Sequence, residues 1–224
     1  MSTATASPAT PASIARAFLP DRWHYHYARS KLASDPLYGG VLEALDGAAM
    51  PVLDLGCGIG LLAHYARAHG RPLDYVGVDN DAGKIAQAVA AAERTGLAAA
   101  RFEVVDLART FPEAHRGSVV VLDVLQFLPH EAQGRLLAHC AAGLAPGGRL
   151  VLRTGLRDGS WRAGMTRAAD MASHLIRWMR SAPGELPRRE ELAARLEALG
   201  LRARFAPLWG RTPFNNWLVV AERA

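Results

Sequence analysis

The stretch Val52-Leu53-Asp54-Leu55-Gly56-Cys57-Gly58-Ile59-Gly60 decides how this chain folds. Its first four residues are mostly apolar and read as a buried strand, and the alternating glycines after them form a turn that suits residues without a Cβ. A helical pattern follows directly. Strand, glycine turn and helix in that order bring the backbone close to a ligand and aim helix N–H groups at it.

Outward from this unit the pattern repeats. Short apolar runs at Val52 to Leu55, Tyr75 to Val78, Phe102 to Val105, Val119 to Leu122 and Arg149 to Arg153 alternate with helical stretches starting near Gly60, Asp81, Pro112 and His130. That alternation predicts βαβ units and five parallel strands. The loop Pro146-Gly147-Gly148 ends a helix and hands the chain to the fifth strand. Ahead of the unit, Asp21 to Leu45 reads as one or two aromatic-rich helices broken at Pro36. Beyond it, residues 155–187 interrupt the alternation before a charged helix from Arg188 to Leu199 and strand-like runs at Leu201 to Leu208 and Asn216 to Ala221. An interruption of that length marks a lid or binding element. The organisation expected is a disordered tail over residues 1–12, a helical cap over 13–50, and one α/β domain over 51–224 with the lid inside it.

Three carboxylates fall at the ends of the first three strands: Asp54, Asp79 and Asp106. A glycine turn alone is shared by many nucleotide-binding folds, so these acids carry more weight. Asp54, just ahead of the glycines, would repel a pyrophosphate and attract a ligand bearing an ammonium and a sulfonium. Asp79, 25 residues further on, stands where such sites offer two acceptor oxygens to a vicinal diol. Its alternative is to cap the next helix with Asn80 and Asp81, a role that suits Asp81 better. Asp106 at the same edge can accept from an exocyclic amine; a solvated loop aspartate is the plainer reading.

The run Val52 to Gly60 with Asp79, Asp106, the segment Leu122 to Pro129 and the loop Leu144 to Gly148 resembles the motif set of class I, Rossmann-like S-adenosylmethionine-dependent methyltransferases of the small-molecule type. The resemblance covers roughly residues 50 to 154. It implies a doubly wound, seven-stranded, mostly parallel sheet with an antiparallel last strand. It also implies S-adenosylmethionine as cofactor, with Gly56, Cys57 and Gly58 near the methionine part, Asp54 toward its ammonium, Asp79 and Asn80 at the ribose, Asp106 and Leu107 at the adenine, and Leu122 and Asp123 lining the cofactor after the fourth strand. Relatives often carry an acidic residue and a histidine after the triplet that is Asp123-Val124-Leu125 here. Here Gln126 and Phe127 follow, and no general base carries over.

The acceptor is less legible. Arg29 resembles an arginine that some relatives direct at the methionine carboxylate, and reads equally as a surface arginine. His24, Tyr25 and Tyr27 line a pocket or pack the cap on the core. In the lid, Met171, Leu175, Trp178 and Met179 form one helical stripe, with Trp161 ahead of it and Arg167, Arg177 and Arg180 on other faces. Trp161 and Trp178 are candidate substrate contacts, and the arginines suit an acidic carrier protein or an acidic lipid surface. His24, His130 and His174 are candidate bases. His24 and His26 point to different helix faces, and Cys57 and Cys140 lack metal-ligand spacing, so no metal is expected.

The net charge of +5 raises nucleic acid as a partner, yet arginines are scattered through every segment and Lys31 and Lys84 are the only lysines, so no binding stripe forms. No apolar run approaches the roughly 20 residues of a membrane span, and the N-terminus has no signal-peptide pattern, which predicts a cytoplasmic protein. The expected activity is methyl transfer to a small organic acceptor, phenolic, polyketide-like or acyl. A nicotinamide oxidoreductase and a non-catalytic methyltransferase-like subunit are the alternatives.

Overall fold

In the computed structural model, residues 9–112, 114–166, 168 and 186–224 are described. The first strand, β1 (Val52–Leu55), is buried throughout. Its side chains alternate between two faces: Val52 enters one hydrophobic cluster, Leu53 and Leu55 the other. The sheet around it runs in the order β3 (Ala100–Val104), β2 (Tyr75–Asp79), β1, β4 (Ser118–Leu122), β5 (Arg149–Gly155), β7 (Asn216–Arg223), β6 (Leu201–Pro207). Strands β1 to β5 pair in parallel, and β7 is antiparallel to both its neighbours, as the sequence leads one to expect.

On one face lie α1 (Pro11–Ala15), α2 (Arg22–Ser34), α3 (Leu37–Ala44), α4 (Leu61–Ala68) and α5 (Ala82–Thr95), meeting the sheet through residues such as Phe18, Leu37, Val41, Leu62 and Ala91. On the other, α6 (His130–Gly143) and α7 (Arg189–Ala198) contribute Leu136, Leu137, Leu192 and Leu196. Both faces of a parallel sheet are thereby covered, and the strand order reverses between β1 and β4. Local chemistry sets the ends. Asp81 caps α5 by accepting from Gly83 N at 2.9 Å, and Gly96, at φ +64°, closes it. Pro36 separates α2 from α3 where the sequence places the break.

Two expectations are corrected. The helix expected near Pro112 is absent among the described residues of that connection. Only Val105 to Gly117 join β3 to β4; Arg109 and Thr110 turn back at once to donate to the Asp106 carbonyl, and Ala114 sits at φ +60°. Gly117 is already tied to the Gly143 carbonyl, so too little chain is left for a helix. At the other end, α1 takes in Pro11 and Ala12, which the sequence assigns to the tail. Thr10 and Ser13 cap each other reciprocally, Pro11 presets the first helical φ, and Ile14 and Ala15 are buried. Residues 1–8, and 167 and 169–185 of the expected lid, lie outside the described residues; residues 161–166 are helical. No helix among the described residues is long and apolar enough to cross a membrane.

Candidate functional site

The C-terminal edges of β1, β2 and β4, the connection after β3 and the inner side of α2 enclose a cavity of about 460 Å³. The glycine turn forms its floor. Gly56, Gly58 and Gly60 all have left-handed φ, and a Cβ on Gly56 would overlap Val124 while one on Gly60 would come within 2.6 Å of Phe102. The turn's N–H groups are not free, however. Gly56 N and Cys57 N both donate to the Val78 carbonyl (2.7 and 2.9 Å), Gly58 N to the Asp79 carboxylate (2.9 Å) and Gly60 N to the Cys57 carbonyl (3.0 Å). The expectation that such groups face the ligand is therefore corrected at these four positions, because the turn folds back on β2 and on itself.

Asp54, Asp79 and Asp106 all line this cavity, as do Gly56, Cys57, Gly58, Asn80, Leu107, Leu122 and Asp123. Asp54 is 2% exposed; one oxygen, Oδ2, accepts from the Tyr75 hydroxyl, while Oδ1 has no hydrogen-bond partner. Burial pushes its ionisation up to about 7, against the Tyr75 hydrogen bond and with help from the charge of Asp79. The Asp79 carboxylate is fixed by Gly58 N on Oδ2 and Asp81 N on Oδ1, each at 2.9 Å, which leaves each oxygen a lone pair toward the cavity. Asp106 is held by Ala108 N at 3.0 Å. Burial and the nearby carboxylates keep the Cys57 thiol protonated, so it is no nucleophile.

On the cap side stands a charged network that sequence reading missed. Arg153, on β5 and 3% exposed, forks onto Asp123 with Nε–Oδ1 and Nη2–Oδ2 both at 2.6 Å and places Nη1 2.6 Å from Asp35 Oδ1. Lys31 of α2 joins it, 2.9 Å from Asp35 and 3.4 Å from Asp123. Burial works against charge at Asp123, but Arg153 and Lys31 outweigh it and hold its ionisation below the usual carboxylate value. Asp123 is thus a permanently charged, fully engaged carboxylate, unsuited to act as a base.

Tyr27 lines the cavity, together with Trp23, Phe127 and Phe214, and also packs against the core. Other candidates fall elsewhere. Arg29 is exposed on α2 and outside the cavity wall; Lys31, two residues on, turns inward instead. Tyr25 packs against the hydrophobic core. His24 pairs with Asp21 at 2.7 Å, and His130 faces Arg195, neither lining the cavity. Trp161 is 66% exposed, under the Arg162 guanidinium. Trp178 and His174, and with them Met171, Leu175, Met179, Arg167, Arg177 and Arg180, lie outside the described residues. A signal for the missed cations exists: both of the chain's lysines, Lys31 and Lys84, reach the cavity, and Arg153 is a charge within an apolar strand.

A doubly wound sheet with a cavity at its switch point and a carboxylate after each of three adjacent strands defines a ligand-binding α/β fold. Comparison with known proteins agrees. Residues 52–148 match the methyltransferase domain family. The chain is 34% identical over 175 residues to trans-aconitate 2-methyltransferase of Methylobacterium nodulans, an overlap covering 76% of this chain and 56% of that protein. Among solved structures, an O-methyltransferase family protein from Burkholderia thailandensis superposes with a TM-score of 0.68 at 20% identity, covering 96% of this chain and 63% of that one. Magnesium protoporphyrin IX methyltransferase from Synechocystis PCC 6803, with bound S-adenosylhomocysteine, gives 0.63 at 19% identity, covering 84% and 82%. The chain is similar to class I, Rossmann-like methyltransferases in sequence across that domain and in fold. It spans about half the length of the curated relatives it matches.

Proposed function

We propose that this chain binds S-adenosylmethionine across the C-terminal edge of its sheet and transfers the methyl group to a small organic acceptor. The observation that carries the reading is the pairing of three cavity-lining carboxylates with a glycine turn whose N–H groups at Gly56, Cys57, Gly58 and Gly60 are already engaged. Such a site has acceptors for an ammonium, a diol and an amine. The unpartnered Asp54 Oδ1 fits the ammonium, Asp79 the ribose hydroxyls with Asn80 beside it, and Asp106 the adenine amine against Leu107. Gly56, Cys57 and Gly58 lie along the methionine portion, and Leu122 and Asp123 flank it after β4.

When bound, the cofactor supplies a sulfonium methyl for in-line displacement by an acceptor oxygen, nitrogen or carbon. The protein contributes alignment and exclusion of water. Tyr27, Phe127 and Phe214 offer aromatic surface at the acceptor end, with Gln126 and Asn216 as polar anchors. Among the described residues, the cavity wall holds no imidazole. A carboxylate or phenolate acceptor, which enters already ionised, suits this wall best. An acyl, phenolic or polyketide-like acid fits that description. Presentation on an acidic carrier protein is supported by the arginines near Trp178 in the sequence alone, and the unpaired Cys57 and Cys140 favour a cytoplasmic setting.

Titration calorimetry with S-adenosylmethionine, S-adenosylhomocysteine and NAD tests the reading. Binding of the first two and not of NAD is expected, with loss of both on Asp79→Ala. Absence of S-adenosylmethionine binding at millimolar concentration overturns it.

A further inference from the structure

Tyr75 opens β2 directly beside Val52 of β1 and is fully buried. From there its phenol reaches along the sheet face to Asp54, donating to Oδ2. Packing fixes its direction. The ring meets Phe102 of β3 with centroids 5.7 Å apart, and Gly77 gives way beneath it: a Cβ there would stand 2.8 Å from Tyr75 Cε1 and 2.8 Å from Cys57 Sγ. The second Asp54 oxygen is buried, unpartnered and part of a cavity-lining residue. A buried carboxylate oxygen without a donor is costly, and here nothing in the described protein relieves it.

We propose that Tyr75 is a positioning residue for the cofactor's amino group: it holds Asp54 by one oxygen and thereby presents the other to the ammonium. The inference rests on the S-adenosylmethionine reading above and goes beyond it, since Tyr75 does not line the cavity.

The charges around Asp54 explain why such help is needed. From β2, Tyr75 favours the ionised carboxylate and Asp79 opposes it; Cys57 of the glycine turn and Tyr38 of α3 also couple to it, and both stay neutral because burial raises them. The cation that completes the set comes with the ligand. Binding of an ammonium therefore draws Asp54 into its ionised form, and below about pH 7 that releases a proton.

The test compares S-adenosylmethionine with methylthioadenosine, which keeps the nucleoside and thioether and lacks the amino acid. For Tyr75→Phe, S-adenosylmethionine is expected to bind about tenfold more weakly near neutral pH, the scale of a hydrogen bond to a charged group, while methylthioadenosine stays within about twofold. The acid limb of the affinity profile for S-adenosylmethionine moves to higher pH by about one unit. In an Asp54→Asn background the same substitution adds nothing further. Replacement of Tyr75 by 3-fluorotyrosine, a stronger donor of nearly the same shape, moves the acid limb the other way and serves if the Phe variant does not fold. Equal weakening of both ligands, or an unmoved pH profile in both variants, overturns the proposal. Failure of the unaltered chain to bind either ligand overturns the cofactor reading instead.

Discussion

A carboxyl that is 2% exposed, with one oxygen unpartnered, destabilises the folded chain whenever it is ionised. Asp54 carries its ionisation from the ordinary 3.8 to about 7. The sign follows from linkage. The folded group holds its proton more tightly than the unfolded one, so the penalty is complete above pH 7 and disappears as pH falls from there toward 4. Asp54→Asn is therefore expected to raise the melting temperature of the ligand-free protein by several degrees at about pH 8, at about 2–4 °C per kcal/mol, and by much less at about pH 5. His64 acts oppositely: burial lowers its ionisation from 6.5 to about 4, so its contribution is lost progressively as the pH falls between those two values. The difference between variant and parent cancels His64 and isolates Asp54. An equal gain at both pH values would contradict the assignment.

At the scale of elements, Arg153 clasps the cap to the sheet. One guanidinium joins β5 to Asp123 after β4 and to Asp35 between α2 and α3, and Lys31 closes the network from α2. Removing one member of a buried set strands its partners: Arg153→Ala is expected to cost about 3–5 kcal/mol in urea unfolding. Lys31 keeps a fifth of its side chain exposed, and Lys31→Ala is expected to cost about 1 kcal/mol. Equal costs would mean that the clasp does not depend on Arg153. None of this network was legible from spacing, because its members are separated by up to 118 residues and meet only when α2 lies over the strand ends. The break at Pro36 was legible, since a missing donor acts locally. The helix expected near Pro112 failed for a tertiary reason: Gly117 and His115 are already committed to α6 and β4, which leaves the connection no slack.

For the whole molecule, ligand binding and stability are one equilibrium. S-adenosylhomocysteine at about 100 times its dissociation constant adds about 2.7 kcal/mol, which for a domain of this size is a rise of about 5–10 °C in melting temperature. NAD at the same concentration is expected to leave the transition in place. A shift with NAD and none with S-adenosylhomocysteine would reverse the choice of ligand.

The chain's amino-acid order alone placed the strand runs, most of the helices between them and the three acids at one edge, because apolar periodicity, glycine turns and strand ends are local properties. It pointed to the candidate site through residues that sit next to one another in sequence or at the ends of successive strands. The donors and charges that govern those acids came only with tertiary structure. Tyr75 reaches Asp54 on the neighbouring strand, the glycine turn engages N–H groups against β2 and on itself, and Lys31 replaces Arg29 at the cavity because α2 presents one face and not the other. Each depends on register and helix rotation, which long-range packing sets and no local pattern encodes.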